Sequence, residues 1–178
     1  MSSLSIRSFV GIQLSLFFLF VPALLTADEA ATAKIILDAS TIKNGLCVHL
    51  GVTDGKLTAA LAKQWKFLVH GIALDEASLE KARQYLQAQG IYGQASIEQL
   101  SSPAKLPYAD NLVNILIADD LSKLLKSGLT IQEIMRVICP NGVALIGQVA
   151  GVAGISEVDL KAKLIAAGIK EIEWVKQG

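Results

Sequence analysis

The chain has 178 residues, which is enough for one domain with a hydrophobic core. Its 16 basic and 16 acidic residues cancel, so no strongly basic surface is expected and nucleic acid is not the expected partner. Charged residues make up 18% of the sequence, below the roughly 25% typical of soluble domains, and part of that deficit lies at the N-terminus.

The N-terminal segment has the pattern of a secretory signal peptide. Arg7 is the only charged residue before Asp28, and an apolar stretch runs from about Phe9 to Leu25. Ala27 then offers a small residue for cleavage. An uncleaved membrane anchor is the alternative, although the stretch is near the lower limit of the ~17–25 residues that span a bilayer. We predict that residues 1–27 are a signal peptide and that the rest is exported, to the periplasm or the medium, and meets a membrane only if this segment is uncleaved.

The rest of the chain alternates between helical and strand patterns. Helix 55–65, for example, places Leu57, Leu61 and Trp65 on one face. Asp75 and Ser156 stand where helix caps are expected. The elements in chain order are a helix (30–41), a strand (45–51), a helix (55–65), a strand (66–74), a helix (76–90), a strand (94–100), a loop with two prolines (101–111), a strand (112–119), a helix (130–138), a turn (139–142), a strand (143–149), a helix (156–168) and a strand (169–175).

This alternation predicts an α/β fold: a Rossmann-like, doubly wound, mostly parallel sheet with helices on both faces. We expect the first five predicted strands in the order 3-2-1-4-5, with the last strand near the fifth. Residues 46–50 and 114–118 should then be adjacent, parallel and buried. In such sheets ligands bind beyond the carboxyl ends of the strands, near the switch in strand order. The segment LGVTDG, residues 50–55, leaves the first strand at that place.

The two cysteines are predicted to be unpaired. Cys47 lies in an apolar strand and Cys139 in the turn before another strand. Isolated cysteines without C-x-x-C spacing behave as small buried hydrophobes. His49 and His70 are likewise more simply packed strand residues than a pair of metal ligands, so no metal site is predicted.

Four segments carry a resemblance to a known family: VHLGVTDGKLTAALA (48–62), LVHGIALDEASLEKAR (68–83), KLPYADNLVNILIADDL (105–121) and EIMRVICPNGVALIG (133–147). In this order they resemble the class I S-adenosylmethionine-dependent methyltransferases, over about residues 33–178. More narrowly, VHLG, IYG and LPYADNLVN are similar to the methyltransferase-like domain that precedes a quinoprotein-type β-propeller in exported bacterial proteins. The resemblance implies one methyltransferase-like domain over residues 28–178, without the usual last strand of the family.

The resemblance implies S-adenosyl-L-methionine as the cofactor, held by backbone at glycines and by acidic side chains. Gly51 and Gly55 keep two of the three glycine positions, and Thr53 replaces the middle one, where its Cβ narrows the approach and restricts positive φ. The family usually has carboxylates at the ends of its first three strands. His49, Ala73 and Ser102 stand at those positions.

Other acidic residues could compensate in part. Asp54 follows Thr53 in the loop, and Asp75 lies two residues after Ala73. The predicted cofactor-binding residues are His49, Gly51, Thr53, Asp54, Gly55, Ala73, Asp75, Ser102 and Asp119. Because a hydrogen bond to a charged group contributes roughly 1.5–3 kcal/mol, the missing carboxylates predict weakened cofactor binding.

Catalytic residues cannot be assigned from the sequence. Asp119 and Asp120 close the fourth strand, where the family often places groups that face the substrate, but one of them could instead cap the following LSKLLKSG turn. Tyr108 could line a pocket or pack the loop after Pro107.

Three functions therefore compete. The first is a methyltransferase-like protein with weakened or lost cofactor binding, acting on an unknown small molecule or protein. The second is an exported, non-catalytic binding or interaction module on the same fold, a pseudoenzyme. The third, a nicotinamide-dependent oxidoreductase, is disfavoured because GVTDG lacks G-x-G-x-x-G spacing.

Overall fold

The computed structural model describes residues 17–22, 29–40, 42–64, 66–100, 102–148, 156–169 and 172–174. Its strands are β1 (Phe17–Pro22), β2 (Asn44–Leu50), β3 (Lys66–Ala73), β4 (Ala95–Gln99), β5 (Val113–Ala118), β6 (Ile138–Gln148) and β7 (Ile172–Trp174). Its helices are α1 (Glu29–Ala39), α2 (Lys56–Gln64), α3 (Glu76–Ala88), α4 (Leu121–Lys126), α5 (Ile131–Val137) and α6 (Glu157–Ala166).

The described strands form one parallel sheet in the order β4-β3-β2-β5-β6-β1-β7. The predicted order 3-2-1-4-5 corresponds to β4-β3-β2-β5-β6 and is confirmed. Residues Cys47–Leu50 pair in parallel with Ile115–Ala118, as predicted. Because the chain leaves β2 toward β3 on one side and later returns to β5 on the other, the strand order reverses between β2 and β5.

Strand β1 consists of residues from the apolar part of the predicted signal peptide. It pairs with β6 on one side and with β7 on the other. The last strand therefore belongs to the sheet, but β1 separates it from β6. Export and cleavage stay predictions, and cleavage after residue 27 would remove β1 from the sheet.

Each face of the sheet is covered by helices, because the inner strands are apolar on both sides. Helices α1, α2 and α3 pack on one face and α4, α5 and α6 on the other. Strand residues alternate between the two cores: Cys47 and Ile117 face α1–α3, whereas Val48 and Leu116 face the other group. The predicted helices on both faces are confirmed.

Local chemistry fixes the beginnings of four helices. Asp75, Asp120, Thr130 and Ser156 each accept a backbone N–H of the following first turn, so the predicted caps Asp75 and Ser156 are confirmed. Among the described residues, no helix is long and apolar enough to cross a membrane.

Two local predictions need correction. Residues 139–142 belong to β6 rather than to a turn before it, with Asn141 at φ 64° and a register shift between Val113 and Ile115 in the adjoining strand. The LSKLLKSG segment contains a helix, α4, rather than only a turn. Cys47 and Cys139 are both free, and burial raises the pKa of the Cys47 thiol to about 12.

Candidate functional site

The loop after β2 is a tight connection built on two glycines. Gly51 and Gly55 have φ of 84° and 76°, the left-handed region that glycine adopts without a steric cost. The N–H groups of Gly51 and Val52 both donate to the Ile72 carbonyl, at 2.9 and 3.0 Å, and so fix the loop to the end of β3. Thr53 is exposed and has no positive φ, so the predicted backbone restriction at this position does not arise.

Gly55 also permits a close contact between helices. A Cβ at this position would lie 3.0 Å from both Cα and the carbonyl oxygen of Ala82, which is fully buried in α3. Helix α2 therefore begins against the backbone of α3. This contact sets the position of the first turn of α2, which carries Thr58.

His49 is buried at the carboxyl end of β2 and contacts two polar side chains. Its Nδ1 lies 2.8 Å from Thr58 Oγ1, and its Nε2 lies 2.7 Å from Asp119 Oδ2. The register explains the second contact: His49 pairs with Ile117 of β5, so Asp119, two residues further on, projects from the same face. The side chain of His49 is 3% exposed and that of Asp119 is 37% exposed.

The partners of His49 determine where its protons lie. A carboxylate only accepts, so Nε2 carries a proton and donates it to Asp119. In the neutral ring Nδ1 then accepts from the Thr58 hydroxyl, and in the imidazolium it donates to that oxygen. Both protonation states are fully hydrogen-bonded, which makes His49 a fixed support for the Asp119 carboxylate.

Asp119 retains unused acceptor capacity. Its Oδ1 is buried and has no hydrogen-bond partner among the described residues. Its backbone lies close to β6. A Cβ added at Gly147 would be only 2.7 Å from the Asp119 carbonyl oxygen. Asp119 thus presents a carboxylate, fixed by two neighbouring strands, beside the reversal in strand order.

The remaining predicted acids serve local structure. Asp54 Oδ1 accepts from the Lys56 backbone N–H at 3.1 Å, and its Oδ2 lies 3.6 Å from the Lys56 ammonium. Asp75 caps α3, and its hydrogen bond from the Ser78 N–H lowers the pKa of this exposed carboxyl. Neither residue contacts the His49–Asp119 pair in the structure.

Two positions predicted from the family pattern lack suitable groups. Ala73 is fully buried, and its carbonyl accepts from the Leu100 N–H at 3.0 Å. Ser102 is exposed, with its hydroxyl 3.4 Å from the Ala104 N–H. The alternatives for the aspartates separate clearly: Asp120 caps α4 by accepting from the Lys123 N–H at 3.0 Å, and Asp119 faces His49.

His70 and Tyr108 form a second polar group on the opposite face of the sheet. Tyr108 Oη lies 2.8 Å from His70 Nδ1, and burial lowers the pKa of His70 and raises that of Tyr108. The neutral imidazole therefore accepts from the phenol and carries its own proton on Nε2, 3.7 Å from a Glu98 carboxylate oxygen. His49 and His70 do not meet. No group of three metal-ligating side chains is found among the described residues.

Tyr108 also belongs to a loop that Arg136 holds in place through ion pairs with Glu133 and Asp110. Arg136 Nε and Nη2 donate to the two carboxylate oxygens of Glu133 at 2.9 and 2.7 Å, and its Nη1 donates to Asp110 at 2.6 Å and to the Tyr108 carbonyl at 2.9 Å. Glu133 also accepts from the Leu106 N–H at 2.7 Å. The Tyr108 backbone is therefore held in the loop by Arg136, and its phenol contacts His70.

Sequence reasoning missed Thr58 and the Glu133–Arg136 pair. The i,i+3 spacing of Glu133 and Arg136 was a usable signal for their ion pair. Nothing comparable marked Thr58, because its contact with His49 depends on where α2 packs. A separate groove of 390 Å³ lies between the start of α5 and α6, lined in part by Leu129, Gln132 and Lys163, and includes none of the predicted site residues.

The chain belongs to the methyltransferase domain family, whose pattern matches residues 48–142, more than half of its length. The match begins in β2 and ends in β6, so it contains the glycine loop, His49 and Asp119. A reversal of strand order with a glycine loop beside it is the arrangement that binds nucleotide-containing ligands in such folds.

Solved structures with the same fold include different activities. An S-adenosylmethionine-dependent methyltransferase from Aquifex aeolicus has a TM-score of 0.61 at 21% identity, over 76% of this chain and 78% of that chain. One from Geobacter sulfurreducens, in complex with S-adenosyl-L-homocysteine, has a TM-score of 0.56 at 16% identity, over 68% and 47%. The [4+2]-cyclase SpnF has a TM-score of 0.65 at 18% identity, over 78% and 57%. At these identities the likeness shows the fold, and the cyclase illustrates that the fold alone does not set the reaction.

A curated relative of unknown function comes from Haemophilus influenzae strain Rd. It is 27% identical over 120 residues, which are 66% of this chain and 47% of the relative. The chain thus spans about half the length of that protein.

Proposed function

We propose that this methyltransferase domain binds S-adenosyl-L-methionine across the carboxyl ends of β2 and β3, beside the loop from Gly51 to Gly55. The observation that carries the proposal is the geometry of this loop. Its left-handed glycines lie beside the reversal in strand order between β2 and β5. A Cβ added at Gly51 would meet nothing closer than Leu124, at 4.0 Å, so the backbone there is open to a neighbouring group.

The residues of the site fit such a ligand in part. Ala73 and Ser102 offer no carboxylate, so two of the polar contacts that the family resemblance implies are missing. The Asp119 carboxylate, whose side chain is 37% exposed, is an acceptor for a cationic or N–H-bearing ligand.

The protein's contribution to a transfer reaction would be binding and orientation. The bound cofactor supplies a sulfonium whose methyl group is open to attack by a nucleophile. Backbone groups of the glycine loop would hold the cofactor, and the Asp119 carboxylate would bind the polar end of the cofactor. The methyl acceptor, a small molecule or a protein side chain, would have to reach the methyl group at the carboxyl ends of the strands.

The second candidate is a non-catalytic module on the same fold. Three residues favour this candidate. His49, Ala73 and Ser102 stand where the family usually has carboxylates. We also propose export of the domain, supported by the signal-peptide pattern of residues 1–27. S-adenosylmethionine is a cytoplasmic metabolite, so export itself favours this second candidate.

Isothermal titration calorimetry of the purified protein with S-adenosyl-L-methionine separates the two candidates. We expect saturable one-to-one binding that is weaker than micromolar, because of the missing carboxylates. Gly51→Val should abolish it, since the branched side chain fills the open side of the loop. Gly90→Val, at a left-handed glycine remote from the loop, is the matched control and should bind normally. A wild-type protein that shows no heat at millimolar ligand would contradict the first candidate and favour the module.

A further inference from the structure

We infer that Asp119 supplies, from β5, the anionic group of the ligand site that β2 lacks, and that it receives the ammonium group of the cofactor's amino-acid portion. His49 is the positioning residue of this carboxylate. The inference rests on the proposed function, because it assigns a role within the same site. It concerns residues of this chain that depart from the family pattern.

The negative charge of the site lies next to the end of β2 rather than on it. His49 occupies the end of β2, where the resemblance implies a carboxylate. Its two ring nitrogens already contact Thr58 and Asp119, so the imidazole has no acceptor left for an ammonium group. Asp119 Oδ2 lies 2.7 Å from His49 Nε2. The negative charge is therefore on the residue after the neighbouring strand, β5, beside the end of β2. The pairing of His49 with Ile117 places the two side chains on the same face of the sheet.

Asp119 is held but not satisfied. His49 uses only Oδ2, and Oδ1 has no hydrogen-bond partner among the described residues. No lysine or arginine forms an ion pair with Asp119 in the described part of the chain. A carboxylate whose side chain is 37% exposed and whose charge no described lysine or arginine neutralises is suited to a ligand cation.

His49 supports this carboxylate. The imidazole is fixed from behind by Thr58 at 2.8 Å and is itself almost fully buried. It therefore fixes the carboxylate plane without contacting solvent. Such a support acts on the ligand only through Asp119, so its removal should be partly repaired by a side chain that still donates to Oδ2.

The test compares two ligands by calorimetry on the full chain. S-adenosyl-L-homocysteine carries the amino-acid portion, and 5′-methylthioadenosine lacks it. Asp119→Asn should weaken S-adenosyl-L-homocysteine binding about tenfold to one hundredfold, because a charge-assisted hydrogen bond is lost, and should leave methylthioadenosine binding unchanged. Asp120→Asn is the matched control, since asparagine is an equally good helix cap, and should affect neither ligand.

Variants of His49 test the positioning role. His49→Leu should show the same ligand-selective loss as Asp119→Asn, and His49→Gln, which keeps an N–H donor, should recover part of it. The imidazole resonances of His49 should also shift on S-adenosyl-L-homocysteine binding but not on methylthioadenosine binding. Equal loss of both ligands in Asp119→Asn, or no loss of either, would overturn the inference. Wild-type protein that binds neither ligand would instead refute the proposed function, so the two failures are distinguishable.

Discussion

The contact between Gly55 and α3 leads to a quantitative prediction. Alanine at Gly55 has to adopt φ near 76°, which costs roughly 1–2 kcal/mol, and its Cβ meets the Ala82 backbone at 3.0 Å. Overpacking against backbone that cannot yield typically adds about 1–3 kcal/mol. Gly90 has φ of 67° and no atom within 4 Å of an added Cβ, so Gly90→Ala isolates the conformational cost.

We therefore expect Gly55→Ala to lower the free energy of unfolding by about 1–3 kcal/mol more than Gly90→Ala. Urea denaturation of both variants, followed by circular dichroism, measures this difference, and a thermal melt should show it as a gap of several degrees, at about 2–4 °C per kcal/mol. Because α2 carries Thr58, Gly55→Ala should also disturb the His49 resonances, whereas Gly90→Ala should not. Equal destabilisation by the two substitutions would refute the argument that α2 begins in forced contact with α3.

Three further predictions concern pH and the N-terminus. The hydrogen bonds from Arg136 lower the pKa of Glu133, so their stabilising effect is complete above the unfolded-state value near 4.3 and is lost as pH falls through the folded-state pKa. Glu133→Gln should therefore be less stable than wild type at pH 7, and the difference should shrink as pH falls below the unfolded-state value; a difference in urea denaturation that does not change with pH would contradict this. N-terminal sequencing of secreted protein should begin near Asp28, and a mature protein that still starts at Met1 would rule out cleavage. A chain that begins at Asp28 lacks the six register pairs of β1 with β6, so its melting temperature should be lower than that of the full chain.

The sequence predicted the fold because the relevant signals are local. Apolar strands such as 45–51 and helices ended by glycine or begun by Asp75 and Ser156 can be identified without knowing what packs against them. Their alternation fixed the central five-strand order and the helices on both faces. The position of β1 between β6 and β7 was not foreseen, because an apolar segment near a chain start has the same composition in a signal peptide and in a buried strand.

For the site, the sequence determined which residues lie at the carboxyl ends of the strands, and it identified His49 and Asp119 there. Their mutual contact depends on the register of β2 with β5, which places His49 opposite Ile117 and Asp119 just beyond. It also depends on the packing of α2, which brings Thr58 behind the imidazole. These are contacts between residues 9 and 70 positions apart, set by strand pairing and helix packing rather than by local propensity. The sequence alone therefore predicted a site without its expected carboxylates, and the tertiary structure placed the Asp119 carboxylate of the neighbouring strand beside His49.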